Sequence, residues 1–479
     1  MSRLLSWLSK KSDRQGCETM KRLSSQLRTV LRDPHAAVDL CALGGGTALA
    51  GAAARLKNKS VLLVTSRQMV CAVALVELDG LVQRMVVAPP DVTDEQLRFI
   101  FQEASLDFIV SDDAQRCEPI APGHVVSVGL PIASTQNAIP RDVDTDWVLM
   151  TSGTSGPPKL VAHKLAALTG AIPQTLESDP QIRWATFYDI RRYGGLQIFL
   201  RAIIGGTDLV LSSPQESIGD FLRRLDAEKV TSISGTPSQW RRALMSGECA
   251  VFKPDYVRLS GEIADQMVLD ALRAAFPSAQ VGHAYASTEA GVAFAVNDGL
   301  EGIPMKFFTA PAGAVEMKIE DGSLRIRSNR RASCYVVPPN LALVDHEGFI
   351  DTGDLLEQRG DRFVFVGRRG GIINVGGLKV NPEEVEAVIN SHDGVLMSLV
   401  YARKNPFTGA LVVADVVLAE PALASNHDAI RQDIVALCQA RLPRQKQPAF
   451  LKFVSSLPLT PAGKLSRGAG SPARSDEHA

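Results

Sequence analysis

Between residues 35 and 300 short apolar runs alternate with helical segments, and this alternation narrows the possible folds more than any other feature of the chain. Ser60–Thr65 (SVLLVT), Asp107–Ser111 (DFIVS), Asp208–Leu211 (DLVL) and Thr231–Ser234 (TSIS) read as strands, with helical patterns between them such as Ile218–Lys229 and Ala264–Phe276. Strand and helix in turn predict a layered α/β domain with a largely parallel sheet. From about residue 310 to 366 the texture changes. The run AVEMKIEDGSLRIRS alternates apolar and polar residues around Asp321-Gly322, which predicts a small antiparallel β element. Beyond Gly367 a run of glycines precedes Pro382-Glu383-Glu384, where proline near a helix start and acids in its first turn are favourable. The expected fold is therefore α/β. A large layered N-terminal domain over residues 1–366 has β-sheets flanked by helices and a small β element, and a smaller α+β domain covers 367–466. Residues 467–479, rich in Ser, Gly, Pro and charge, are expected to form a disordered tail.

At 479 residues the chain exceeds the size at which one core stops growing, in keeping with two domains. With 51 basic and 52 acidic residues it has no broad electrostatic footprint for nucleic acid, so no nucleic-acid partner is expected and small-molecule chemistry is. Seven cysteines, at 17, 41, 71, 117, 249, 334 and 438, are odd in number and widely spaced, without a Cys-x-x-Cys pair. They argue against a disulfide framework or structural zinc and for buried, reduced thiols in a cytoplasmic protein. The N-terminal apolar patch (Leu4, Leu5, Trp7, Leu8) is too brief for a signal-peptide core. Interleaved with Arg3, Lys10 and Lys11, it reads as a frayed or packed terminal helix, with an amphipathic membrane-surface helix as the alternative. No apolar stretch reaches the roughly 18 to 20 residues of a spanning helix, so no integral membrane contact is expected. Gly44-Gly45-Gly46 with Gly51 lacks dinucleotide-binding spacing and reads as a loop or helix-packing cluster.

Chemistry enters at Trp147–His163, WVLMTSGTSGPPKLVAH. Val148-Leu149-Met150 reads as a buried strand feeding a turn. Gly153 and Gly156 free the backbone so that successive N–H groups can converge on an anion. Thr151, Ser152, Thr154 and Ser155 add hydroxyls, and Lys159 adds a flexible point charge suited to phosphate. The spacing Gly-x-x-Gly-x-x-Lys is not that of the P-loop. A polyphosphate cradle is the functional reading; a polar surface turn is the plainer one.

Four further stretches sharpen this reading: Val281–Gly291 (VGHAYASTEAG), Gly348–Leu355 (GFIDTGDL), Gly367–Glu386 (GRRGGIINVGGLKVNPEEVE) and Leu457–Arg467 (LPLTPAGKLSR). With the Thr151–Lys159 loop they resemble, in sequence and order, the core motifs of the acyl-adenylate-forming superfamily of acyl- and aryl-CoA synthetases, adenylation domains and luciferases. The resemblance runs from about residue 35 to 467. It implies that a carboxylic acid is joined to the α-phosphate of ATP, expelling pyrophosphate, and that the acyl-AMP is then attacked by a thiol. By the same resemblance Glu289 is the magnesium ligand and Thr288 a phosphate-contacting hydroxyl. Tyr285 lies on the adenine face, bordered by Ser260, Gly261 and Glu262. Asp354 takes the ribose hydroxyls, with Arg368 as a second ribose or phosphate contact. Lys464 stabilises the charge that builds at the α-phosphate. Each has a plainer reading on its own: Glu289 as a solvated acid, Asp354 as a turn or cap residue, Lys464 as a tail lysine.

The resemblance also implies that the small domain is mobile, swinging on a hinge beside Arg368 so that Gly376-Gly377 faces the incoming thiol. This chain departs from the usual pattern there, with Gly370-Gly371 where many members carry an acid. The acid pocket is expected around Thr186–Gln197, Gly235-Thr236-Pro237 and Val281-Gly282-His283, with Tyr193 as an aromatic gate. Asp189 is the alternative, amino-acid-holding residue, and Arg191 and Arg192 are either contacts for a polar acid or solvated. His283 reads equally as pocket wall or base. Coenzyme A is the expected thiol. The alternatives are a separate carrier protein's phosphopantetheine, loaded by a stand-alone adenylating enzyme, and a non-catalytic nucleotide-binding relative. A monomer or homodimer is expected.

Overall fold

The structure, a computed structural model, describes residues 29–136, 139–151, 158–173, 181–309, 315–375, 378–405, 409–419, 427–460 and 462–467. The N-terminal patch, residues 152–157 of the phosphate loop, Gly376-Gly377 and residues 468–479 lie outside them.

The apolar runs assemble into two large sheets. One has eight strands in the order Gly291–Val296, Gln280–Ser287, Tyr256–Ser260, Ser232–Gly235, Arg183–Thr186, Asp208–Leu211, Val30–Arg32, Ala37–Asp39. It is parallel except at its two edge pairs. The other has seven: Cys334–Val337, Lys159–Lys164, Asp146–Thr151, Arg84–Val87, Ser60–Val64, Phe108–Ser111, Val125–Ser127. It is parallel from Asp146–Thr151 onward. Parallel strands need cover on both faces, and the runs are apolar throughout for that reason.

Between the sheets lies one apolar cluster, joining Leu209 and Leu211 of the first to Leu63, Val87 and Leu149 of the second through the helices Gln68–Leu78 and Tyr193–Gly205. Every residue of Gln68–Leu78 is buried. The outer face of the first sheet is covered by Ile218–Ala227, Pro237–Met245 and Gln266–Ala275, whose Phe221, Trp240 and Leu269 pack on Ile233, Val257 and Leu259. Gly46 is a packing glycine, since a Cβ there would sit 2.5 Å from Ile132 Cγ2.

The expected β element is a five-stranded antiparallel sheet, Ile303–Pro304, Arg362–Arg368, Ile350–Arg359, Ser323–Ser328, Val315–Glu320. Asp321 (φ 52°) and Gly322 (φ 74°) close its hairpin, the positive-φ pair that a two-residue turn requires. In the C-terminal region Pro382 opens the helix Pro382–Asn390 with Glu383 and Glu384 in its first turn. That helix and His427–Arg441 pack on the strands Val395–Asn405 and Gly409–Leu418. Cys71, Cys117, Cys249 and Cys438 are buried thiols as expected, but Cys334 is exposed because it lies on an edge strand. Among the described residues no helix is long and apolar enough to cross a membrane.

Candidate active site

In an open α/β sheet ligands gather at the carboxyl ends of the strands, and the motif residues converge there. The phosphate loop hangs between adjacent antiparallel strands, with Thr151 paired to Lys159. Ser152, Gly153, Thr154, Ser155 and Gly156 lie outside the described residues. Lys159 is exposed, and its Nζ is 5.9 Å from the ring centroid of Tyr335 on the neighbouring strand. The Tyr335 hydroxyl in turn donates to Glu289 Oε1 at 3.4 Å. Burial, reinforced by the Glu289 charge, pushes that hydroxyl up to about 12, so it stays a donor. Thr288 and Glu289 follow the strand Gln280–Ser287 in a turn fixed by the Ala290 N–H donating to Ser287 Oγ at 2.9 Å. The Ala332 N–H holds the Glu289 carbonyl at 2.8 Å.

Beside this turn the Tyr285 hydroxyl donates to Asp354 Oδ2 at 2.5 Å. Its ring lies nearly parallel to Phe365 (5.4 Å, 7°) and Phe294 (5.7 Å, 15°). Burial, then the Asp354 carboxylate, raises the Tyr285 pKa well above the ordinary phenol range. Asp354 pairs across the strands with Arg368, whose Nε sits 2.9 Å from Asp354 Oδ1. The Arg368 side chain is 67% exposed, so this pair contributes little to stability and leaves the guanidinium open to a ligand. The Ser260 carbonyl accepts from the Tyr188 hydroxyl at 2.6 Å.

Lys464 completes the group from the far end of the chain. Its turn is closed by the Thr460 N–H donating to the Lys464 carbonyl at 2.7 Å and the Lys464 N–H donating to Thr460 Oγ1 at 3.2 Å. Two bonds seat the turn on the large sheet: Thr236 Oγ1 donates to the Gly463 carbonyl at 2.8 Å, and the Leu465 N–H donates to Glu262 Oε1 at 2.8 Å. A side chain on Gly261 (φ 88°) would place its Cβ 3.3 Å from Lys464 Cε and 3.7 Å from Nζ. Burial lowers the lysine pKa; Glu262 and Asp354 counter it, while Arg368 and Arg192 add to it. Behind the turn, Arg467 is gripped by Glu386 Oε2 (2.5 Å) and Glu383 Oε1 (3.0 Å) of the helix Pro382–Asn390.

The acid-pocket candidates divide. Tyr193 is the buried first residue of its helix, 5.8 Å from the ring of His163. Gly235 lies where a Cβ would meet Phe187 Cδ2 at 2.6 Å, and Gly282 where one would collide with Asn297 Oδ1. His283 Nε2 donates to the Leu300 carbonyl at 3.0 Å, and burial lowers its pKa. Asp189 is held in a two-point pair with Arg191, Oδ1 to Nε at 2.8 Å and Oδ2 to Nη2 at 2.6 Å. Against the solvated alternative, Arg191 is 2% exposed, because its guanidinium also donates to the Thr65 and Ser66 carbonyls. Arg192 pairs with Asp91. Gly370-Gly371 sit in a single 3₁₀ turn, Arg369–Gly371.

The structure thus gathers Thr151, Lys159, Thr288 and Glu289 at one end and Ser260, Gly261, Glu262, Tyr285, Asp354, Arg368 and Lys464 at the other. Tyr335 was not legible in the sequence, whereas Thr236 and Tyr188 lie within the segments expected around the acid pocket, and it is their bonds to Gly463 and Ser260 that the sequence did not show. Thr236 stands before Pro237 at a helix start, a capping signal visible in the sequence; its second bond, to Gly463, was not.

Profiles of the AMP-binding enzyme family and of the AMP-binding enzyme C-terminal domain match residues 60–330 and 384–464. A 2-succinylbenzoate–CoA ligase of Bacillus pumilus is 27% identical over 366 residues, 71% of this chain and 72% of that one. The corresponding ligase of Staphylococcus epidermidis is 25% identical over 335 residues, 67% and 68% of the two chains. Among solved structures, the anthranilate CoA ligase AuaEII in complex with anthranoyl-AMP superposes with a TM-score of 0.78 at 17% identity, covering 94% of this chain and 95% of that one. The chain belongs to the AMP-binding enzyme family. It is an AMP-forming acid–thiol ligase, activating a carboxylic acid with ATP, releasing pyrophosphate and passing the acyl group to a thiol.

Proposed function

We propose that Lys464 is the cation that drives adenylation, that coenzyme A is the accepting thiol and that the acid is an aryl acid. The observation that carries this reading is the seating of Lys464 against Gly261, among Glu262, Asp354 and Arg368. In the first half-reaction a carboxylate oxygen attacks the α-phosphorus, the bond to the bridging oxygen breaks, and pyrophosphate leaves. Negative charge grows on the α-phosphate and bridging oxygens, and an ammonium already in place stabilises that growth without reorganising. Asp354 accepts from the ribose hydroxyls, Arg368 meets ribose or phosphate, Tyr285 and the Ser260-Gly261 backbone border the base, and Lys159 with the loop's hydroxyls holds the β- and γ-phosphates.

Glu289 offers one carboxylate, and no group of three or more His, Cys, Asp or Glu gathers among the described residues. That donor set fits magnesium completed by nucleotide phosphates and water. Bound there, the ion neutralises phosphate charge. Thr288 adds a hydroxyl to the same oxygens.

In the second half-reaction the thiol sulfur, losing its proton, attacks the acyl carbon and AMP leaves. The lysine turn then withdraws, as residues 367–466 rotate on the Arg368–Gly371 segment and bring Gly376-Gly377 to the thiol. The aryl preference is supported by the names of the similar ligases, and the engagement of Asp189 with Arg191 weighs against an amino-acid substrate. The test is ATP–pyrophosphate exchange across fatty, aryl, dicarboxylic and amino acids, with thioester analysis of each hit. Exchange with aryl acids and a coenzyme A thioester is expected. Exchange with amino acids alone, or a product formed only on a carrier protein, contradicts it.

A further inference from the structure

Arg467 stands three residues beyond Lys464 and holds the lysine turn from the C-terminal region's side. Its Nη2 donates to Glu386 Oε2 at 2.5 Å and its Nη1 lies 3.0 Å from Glu383 Oε1, both carboxylates on the helix Pro382–Asn390. Leu457 and Leu465, on either side of the turn, pack on Met397, Leu399 and Val417 of the strands Val395–Asn405 and Gly409–Leu418. The two carboxylates are held differently. Glu386 is buried, and its Oε1 also accepts from the Val400 N–H at 2.8 Å. The Glu383 carboxylate has Arg467 alone: its Oε2 is buried and accepts no hydrogen bond among the described residues.

That bare oxygen lies against the hinge. A Cβ on Gly367 would sit 2.6 Å from Glu383 Oε2 and 3.3 Å from Asn381 Cβ, and Gly367 has φ 140°, a conformation that side chains rarely adopt. Backbone and carboxylate therefore both require glycine there. Gly367 pairs with Leu355 in the five-stranded sheet, while Glu383 belongs to the helix beyond the Arg368–Gly371 segment, so the contact spans the point about which rotation is proposed. A desolvated carboxylate oxygen without a hydrogen bond is unfavourable unless an opposite charge is close. Glu383 thus rests on Gly367 because Arg467 holds its other oxygen. One side chain touches the hinge at one end and, at the other, the arginine that follows Lys464.

We propose that Arg467 is a positioning residue for adenylation: through Glu383 it fixes the lysine turn relative to the hinge, so that Lys464 reaches the α-phosphate only while Glu383 rests on Gly367. The inference rests on the adenylation reading above and adds to it a residue that acts through Lys464.

The test follows both half-reactions in Arg467→Met, Arg467→Lys, Glu383→Gln and the double variant Glu383→Gln with Arg467→Met, beside the wild-type protein and Lys464→Ala. The probes are the aryl acid giving the fastest pyrophosphate exchange in the panel above, its synthetic acyl-AMP, and coenzyme A. Arg467→Met is expected to lower kcat for exchange at least about tenfold with KM for ATP changed less than about twofold, the signature of a lost transition-state interaction. Thioester formation from the acyl-AMP should stay within about threefold of wild type, and Arg467→Lys, which keeps the charge without the fork, should recover part of the exchange. Glu383→Gln should show the same split, and the double variant should be no slower than Arg467→Met, because residues acting as one unit are not additive. Equal losses in both half-reactions, effects of the two substitutions that multiply, or wild-type exchange in Arg467→Met while Lys464→Ala has lost it, overturn the inference alone. Should Arg467→Met fail to fold, Arg467→Lys and Glu383→Gln decide by the same split. Wild-type exchange in Lys464→Ala overturns the adenylation reading and the inference with it.

Discussion

The backbone N–H of Leu465 donates to Glu262 Oε1 at 2.8 Å, while the other oxygen of the same carboxylate accepts from the Ser238 N–H at 2.9 Å. One side chain therefore ties the residue after Lys464 to the start of the helix Pro237–Met245, and it also supplies the charge that most strongly counters the burial of the lysine. The resemblance placed Glu262 beside adenine; its carboxylate here bears on the lysine turn.

Glu262→Gln keeps the shape but loses the charge and turns a donor toward one of the two N–H groups. Hydrogen bonds to charged groups contribute roughly 1.5 to 3 kcal/mol, so adenylation should slow by about 10- to 100-fold. Conversion of a preformed acyl-adenylate to thioester, for which the proposed rotation withdraws the turn, should slow much less. The lysine pKa also falls when Glu262 no longer raises it, so the alkaline limb of the exchange rate should move to lower pH. A pH profile identical to wild type contradicts this role.

Breaking the Asp189–Arg191 pair should be a stability lesion. Arg191 is 2% exposed, and removing one partner of a buried pair costs about 3 to 5 kcal/mol. Thermal unfolding of Arg191→Ala should be lowered by several degrees, while Asp189→Asn should leave the order of preference among acids as it was. A shift of that order toward or away from amino acids would restore Asp189 to the substrate pocket.

Glu386 is held by the Val400 N–H (2.8 Å) and Arg467, yet burial pushes it up to about 7 from an ordinary 4.5, with Arg467 opposing. A carboxyl with a raised pKa in the folded state binds protons that the unfolded chain has released. Its contribution is fully present below about pH 4.5 and is lost as pH rises through 7. Between those values the wild-type melting temperature should fall more steeply with pH than that of Glu386→Gln, measured by calorimetry. Parallel profiles contradict this assignment.

The sequence disclosed what is local or periodic. The strands at Ser60, Phe108, Asp208 and Ser232, the Asp321-Gly322 hairpin and the Pro382 helix start each carry their signal within a few residues. The site residues were legible only as motifs in a known order. What stayed hidden depends on distant partners: Glu262 and Leu465 are 203 residues apart, and Glu289 meets Tyr335 across 46. The helix Gln68–Leu78 carries no polar face to mark a period, because it is buried on every side between two sheets. Arg191 read as solvated by type, and only its enclosure by Asp189, Thr65 and Ser66 shows otherwise.

The most direct measurement is ATP–pyrophosphate exchange by Lys464→Ala beside the wild-type protein, with ATP binding followed in parallel. Losing a preorganised charge at the developing oxyanion should lower exchange by at least about 100-fold, with ATP affinity little changed and thioester formation from a preformed acyl-adenylate retained. Exchange at the wild-type rate would contradict the account, because the lysine seated against Gly261 would then have no part in the step for which its position fits it.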